Sequence, residues 1–202
     1  SVSFASVAPI NHHGVAVDVG TGSGILAVTF AALRSNWRVY AVDVSAAALD
    51  VARRNAALHG VDERITFMQS DLLSAWIAQS PLSATERGFR AEVDLLMANL
   101  PYIPSADVPA LPVAAHEPRL ALDGGEDGLR LIERLLTQAK DVMRPGGLIL
   151  LEIEARQGAA AAALARAAFP YARVDVLRDY AGLDRVVSIT DGKNAVPPSA
   201  NL

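Results

Sequence analysis

No cysteine occurs among the 202 residues. Disulfide scaffolds, cysteine-based zinc sites and thiol nucleophiles are thereby excluded together. No window approaches the ~18 uninterrupted apolar residues that would span a bilayer. Positive charge is not in excess, because 18 Lys and Arg stand against 22 Asp and Glu, a formal net charge of −4. The isoelectric point near 5.5 leaves no overall basic footprint of the kind duplex DNA selects. The first residues, from Ser1, do not form a signal peptide, and a cytoplasmic protein is expected. What the chain does have is apolar residues, 51% of the total against 20% charged. That composition excludes a disordered chain and suffices for the core of one domain.

Strand and helix patterns alternate. Val15–Val19 is a short apolar run stopped by glycines and reads as a strand buried on both faces. Gly24–Leu33 reads as a helix, 38–42 as a second strand, and 46–58 as an alanine-rich helix capped by Ser45 and ended at Gly60. Residues 64–69 predict a third strand, 71–78 a short helix, 80–90 a surface loop and 93–98 a fourth strand. Prolines 101, 104, 109, 112 and 118 predict a long irregular segment over 100–118, and such segments often carry function. A helix is expected over 128–143, closed by Arg144-Pro-Gly-Gly147, then a strand over 148–153 and a helix over 156–168. Two last strands, 172–177 and 185–189, have a short connection that favours an antiparallel pair. The expectation is a doubly wound α/β domain with a mostly parallel seven-stranded sheet and an antiparallel C-terminal strand pair. It occupies 15–190, with mobile ends at 1–14 and 191–202.

Asp18-Val-Gly20-Thr21-Gly22-Ser23-Gly24 ends the first strand and opens the first helix. Glycines there let the backbone turn sharply and approach a ligand at the helix N-terminus. A dinucleotide fingerprint would need glycine at position 25, where Ile25 stands, and no Gly-Lys-Ser/Thr follows as in a P-loop. The pattern Asp-x-Gly-x-Gly-x-Gly resembles motif I of the class I S-adenosylmethionine-dependent methyltransferases, whose loop wraps the methionine end of the cofactor. Asp43 ends the second strand 23 positions after Gly20, where a carboxylate can accept both ribose hydroxyls. Ser70-Asp71-Leu72 follows the third strand, where the resemblance places adenine-binding residues. Asp71 would accept from the adenine amine and Leu72 would cover the ring.

Asn99-Leu100-Pro101-Tyr102 lies at the carboxyl end of the fourth strand, beside the same crevice. Asn/Asp-Pro-Pro-Tyr at this position marks methyltransferases acting on planar nitrogens of adenine, cytosine or glutamine. Such a nitrogen is a poor nucleophile because its lone pair is delocalised. The Asn99 side-chain oxygen and the carbonyl of Leu100 can accept its N–H hydrogens as it pyramidalises, and Asn99 also adjoins the cofactor. Pro101 restricts the loop and Tyr102 can stack on the planar group. Leu100 departs from the commoner proline. The motif alone also fits the rRNA adenine dimethylases.

The stretch 116–128, His-Glu-Pro-Arg-Leu-Ala-Leu-Asp-Gly-Gly-Glu-Asp-Gly, narrows the choice, together with Leu151-Glu-Ile153, Gln157-Gly158 and Arg178-Asp-Tyr-Ala-Gly-Leu-Asp-Arg185. These resemble the HemK-type release-factor glutamine N5-methyltransferases across nearly all of 15–190. The resemblance implies methylation of the glutamine in the Gly-Gly-Gln motif of peptide-chain release factors by direct in-line transfer. N5-methylglutamine and S-adenosylhomocysteine would be the products, with no general base. It also implies a monomer acting on a protein substrate, with no direct nucleic-acid binding and no membrane association. Family members carry an N-terminal helical domain and an Arg-Pro-Glu-Thr-Glu segment before motif I. Residues 1–14 do not match that segment, so release-factor docking through that domain is not carried over from the resemblance. No metal site is expected, the adjacent pair His12-His13 lacking ligand geometry. His116 is expected in an exposed loop, and Trp37 and Trp76 in packing. Two other readings stay open at this stage: a nucleic-acid N-methyltransferase with the same pocket, and a non-catalytic S-adenosylmethionine-binding domain.

Overall fold

The side chains of Gly14–Val19 (β1) alternate between two apolar layers, with Val15, Val17 and Val19 in one and Ala16 in the other, as a strand covered on both faces must. The computed structural model describes residues 13–78, 93–112 and 117–190. Residues 1–12 of the expected end segment 1–14, the end segment 191–202, the loop over 80–90 and His116 lie outside them. Around β1 the strands Trp37–Asp43 (β2), Ile65–Gln69 (β3), Val93–Ala98 (β4), Met143–Glu152 (β7), Arg173–Arg178 (β8) and Asp184–Thr190 (β9) form one seven-stranded sheet. Its order is β3-β2-β1-β4-β7-β9-β8. The first five strands are parallel, and β9 runs antiparallel between β7 and β8. The expected fold is the one observed.

Helices Ile25–Leu33 (α1) and Ala46–Leu58 (α2) cover one face. Arg130–Ala139 (α4) and Gly158–Ala168 (α5) cover the other, and Ser74–Ala78 (α3) is a single short turn of helix. Ser45 caps α2 by accepting the Ala48 N–H at 3.2 Å. Trp37 meets Phe30 edge-on at 5.3 Å, and Trp76 meets Tyr40 at 4.6 Å, so both indoles are packing residues. Among the described residues no helix is long and apolar enough to cross a membrane.

Two segments depart from the sequence expectation. The helix expected over 128–143 occupies only Arg130–Ala139, because β7 already pairs with β4 at Met143↔Val93. Arg144–Gly147, expected as a turn before the strand, is an irregularity within β7: the register resumes at Leu148↔Leu95, and Arg144 pairs with Asp94 at 2.6 Å. Nor is the proline-rich stretch wholly irregular. Ile103–Pro104 (β5) pairs in parallel with Asp123–Gly125 (β6). Pro104 is tolerated because the donors are its neighbours, Ile103 N to Leu122 O at 3.1 Å and Ser105 N to Gly125 O at 2.8 Å. The missing proline N–H falls on the side that has no strand to pair with.

Candidate active site

The order of winding reverses between the parallel strands β1 and β4: β1 leads on to β2 at one side and borders β4 at the other. In open α/β sheets ligands bind at the carboxyl ends of strands at such a switch point. Val19 and Ala98 are direct partners across these strands, so Gly20 and Asn99 leave the sheet side by side. The positive φ of Gly20 disfavours any side chain there, and Leu100 packs into the space a side chain would take. A Cβ at Gly20 (φ +72°) would stand 2.8 Å from Leu100 Cδ2. Leu100 is buried, while Asn99 is exposed. The leucine anchors the loop against the glycine turn, and the asparagine side chain is left accessible.

Beneath the glycine turn lies Asp18, 1% exposed. Its Oδ2 accepts from Thr21 Oγ1 at 2.6 Å and from Ala27 N at 3.0 Å, while Oδ1 is buried without a partner among the described residues. Burial pushes this carboxyl up to about 6, against the two hydrogen bonds and with help from the Asp43 charge. Thr21 and Gly24 are buried as well. Asp18, Thr21 and Gly24 thus shape the turn from below, whereas Ser23 is exposed and a Cβ at Gly22 (φ +55°) would meet open space. Gly22 N donates to Asp43 Oδ2 at 2.9 Å, and Ser45 N to Asp43 Oδ1 at 2.8 Å. Asp43 therefore ties the turn to the start of α2.

The state of Asp18 has a measurable consequence. Its native-state affinity for a proton exceeds that of an unfolded aspartate, whose pKa is 3.8. The native state then binds more protons between about pH 4 and 6, and stability from this group falls as pH rises through that window. The full difference is at most about 3 kcal/mol above it. Asp18→Asn keeps an acceptor for Thr21 and Ala27 but does not titrate. The thermal midpoint of the variant minus that of the native protein is expected to rise from pH 4 to 7, and a difference flat in pH would refute the assignment.

Beyond β2 and β3 a cavity of about 480 Å³ is lined by Val44, Gln69, Ser70, Asp71, Ser74, Ala75 and Ala78. Asp71 lies on its wall, paired with Arg134 of α4 at 2.6 Å. Leu72 does not face it. That residue has φ +53° and its side chain is 7% exposed in the core. The largest accessible apolar side chain lining it is Val44, 46% exposed, marked in the sequence only by following Asp43. Gln138 of α4 accepts the Leu73 N–H at 2.7 Å, so α4 braces this turn twice.

The Asn99–Tyr102 loop has its own support, which spacing alone did not disclose. A Cβ at Gly124 would stand 2.6 Å from the Pro101 carbonyl oxygen, and one at Gly128 (φ +76°) would overlap the Tyr102 carbonyl oxygen. The 123–128 turn is thus moulded onto the loop. Asp123 locks the turn, accepting from Ser105 Oγ at 2.5 Å, Arg119 Nε at 2.9 Å and Gly125 N at 3.0 Å. These donors hold its carboxyl down to about 2. Gln157, 8% exposed, donates from Nε2 to the Tyr102 and Asp127 carbonyls.

With a glycine turn, an acidic strand end and an Asn-Leu-Pro-Tyr loop whose Asn99 is exposed at its switch point, the sheet has the fold of the class I methyltransferases, the class that uses S-adenosylmethionine. Comparison with known proteins agrees. The family described as ribosomal protein L11 methyltransferase (PrmA) matches residues 7–100. The crystal structure of ribosomal protein L11 methylase from Lactobacillus delbrueckii superposes with a TM-score of 0.61 at 22% identity, covering 91% of this chain and 72% of that one; this likeness shows the fold. Sequence similarity goes further. The release factor glutamine methyltransferase of Moorella thermoacetica is 48% identical over 169 residues, 83% of this chain and 56% of the relative. That of Cereibacter sphaeroides is 45% identical over 174 residues, 85% and 58% respectively. The described domain is thus similar over most of its length to release factor glutamine methyltransferases, and the chain spans little more than half the length of these relatives.

Proposed function

We propose that this domain methylates the side-chain amide nitrogen of the glutamine in the Gly-Gly-Gln motif of peptide-chain release factors, in the cytoplasm, as a monomer that binds no nucleic acid. The observation that carries the reading is the junction of Gly20 with Leu100, which sets a cofactor-type turn against an exposed Asn99.

Three features support holding S-adenosylmethionine here. The Gly22–Ser23 backbone at the tip of the turn offers an open cradle for the methionine end. Each Asp43 oxygen accepts one N–H and keeps a second lone-pair direction for a ribose hydroxyl. The cavity beside Val44 and Asp71 has one apolar and one acceptor wall, as a planar amino-heterocycle requires. When bound, the cofactor supplies an electrophilic methyl group on a sulfonium.

The chain's own part is positioning. Asn99 Oδ1 and the Leu100 carbonyl accept the two N–H hydrogens of the glutamine amide, which draws density onto nitrogen and turns its lone pair into the crevice. Pro101 limits the loop's freedom and Tyr102, half-buried, lies against the amide plane. The amide proton departs after the nitrogen has become cationic and acidic, so no basic side chain is needed.

The test is transfer of labelled methyl groups from S-adenosylmethionine to a release factor carrying Gly-Gly-Gln or Gly-Gly-Ala, with ribosomal RNA in parallel. Label is expected only in the Gly-Gly-Gln protein. Equal labelling of both proteins, or labelling of RNA alone, would overturn the reading.

A further inference from the structure

We infer that Gln157 is the positioning residue of the Asn99–Tyr102 loop, the joint through which the start of α5 and the 123–128 turn fix where the two amide acceptors stand. The inference rests on the proposed function, in which that loop receives the glutamine amide.

Gln157 belongs to a short 3-10 turn, Ala155–Gln157, that leads into α5. Its Oε1 accepts the Glu154 N–H at 3.1 Å, which is all that helix capping asks of it. Its Nε2 does something else. One hydrogen goes to Tyr102 O at 2.9 Å and the other to Asp127 O at 3.2 Å. The two carbonyls lie 55 and 30 positions away, on the loop that would hold the substrate and on the turn behind it. The amide is buried, both Nε2 hydrogens are donated and Oε1 accepts one N–H, so the residue is a three-way clamp and not a surface contact. The surroundings are cut to admit it. A Cβ at Gly128 would overlap both Gln157 Nε2 and the Tyr102 oxygen, and one at Gly158 would overlap the Asp184 carboxylate of β9.

Among the described residues no other hydrogen bond holds the Tyr102 carbonyl. The loop has no strand partner until Ile103, and small displacements of a positioned group are costly in rate. Gln157 touches neither the glycine turn nor the cavity beside Asp71, so its loss should be felt at the substrate and not at the cofactor.

A glutamate in this place makes the clamp proton-dependent. Ionised, it presents oxygen to two carbonyl oxygens and restores neither bond. Protonated, it has one O–H and restores one of them. Burial and the facing carbonyl dipoles favour the neutral form at higher pH than for a free carboxyl. In Gln157→Glu, kcat on a Gly-Gly-Gln release factor is expected about 10–100-fold below the native protein at about pH 8. Normalised to the native protein, it should recover as pH is lowered to about 6. Gln157→Leu, of similar volume and with no donor, should stay low throughout. The dissociation constant for S-adenosylmethionine should be unchanged in both, and amide hydrogen exchange over 100–105 should accelerate. The inference is overturned if Gln157→Glu follows the native pH profile and rate, or if cofactor affinity falls in step with kcat. Absence of labelling by the native protein would instead overturn the proposed function, and hydrogen exchange would still decide whether the clamp exists.

Discussion

Asn99→Ala is expected to lower kcat for glutamine methylation by about 10²–10³-fold, the range seen when one preorganised hydrogen-bonding group is removed from a charge-developing centre. Asn99 is exposed at the end of β4, so truncation removes an acceptor without opening a cavity. Stability should change by no more than about 0.5 kcal/mol, as for other surface substitutions. The cofactor dissociation constant should also hold, because the glycine turn is secured by Asp18, Asp43 and Leu100 rather than by Asn99. A loss of kcat with unaltered substrate and cofactor affinity marks an interaction made in the transition state. Steady-state kinetics with a release factor, beside calorimetric titration of the cofactor, make the measurement. An unchanged rate would remove Asn99 from the chemistry.

Gly128→Ala is expected to cost about 3 kcal/mol or more, and matching it with Gly146→Ala separates the causes. Both glycines lie in the left-handed region, at φ +76° and +78°. An alanine at either pays the same backbone penalty, about 1–2 kcal/mol. At Gly146 a Cβ meets nothing within 4 Å, whereas at Gly128 it overlaps the Tyr102 carbonyl oxygen and Gln157 Nε2. Backbone cannot step aside as a flexible side-chain end can, so the turn and the Asn99–Tyr102 loop must part. For a domain of this size about 3 kcal/mol lowers the thermal midpoint by roughly 6–12 °C. Gly128→Ala should also lose activity, while Gly146→Ala should keep it. Equal midpoints for the two variants would show that the clash is relieved and the moulded contact is unimportant.

The two predictions probe parts of the site that differed in how visible they were. Motif I, Asp43 and Asn-Leu-Pro-Tyr could be read from the chain because each combines a residue type suited to a ligand with a strand end, and strand ends follow from local hydrophobic runs. The supports could not. Arg134 and Gln138 reach Asp71 and Leu73 across 63 and 65 positions, and Gln157 reaches Tyr102 across 55. No periodicity reports such pairings. Leu72 shows the limit from the other side: its position after the third strand is as expected, yet its positive φ turns the side chain into the core and leaves Val44 at the cavity.

The sequence by itself determined the alternation of strands and helices, the placement of polar motifs at strand ends, and the absence of thiol chemistry. All of these depend on residue type and near-neighbour spacing. Only the tertiary structure decided which face each motif residue presents. It put Asp18 under the glycine turn with a carboxyl pushed up to about 6 by burial, wedged Leu100 against Gly20, and fitted two glycines of the 123–128 turn to the carbonyls of Pro101 and Tyr102. The reason is that burial and close approach depend on strands and turns far apart in the chain, whose contact exists only once the sheet has assembled at the β1–β4 switch point.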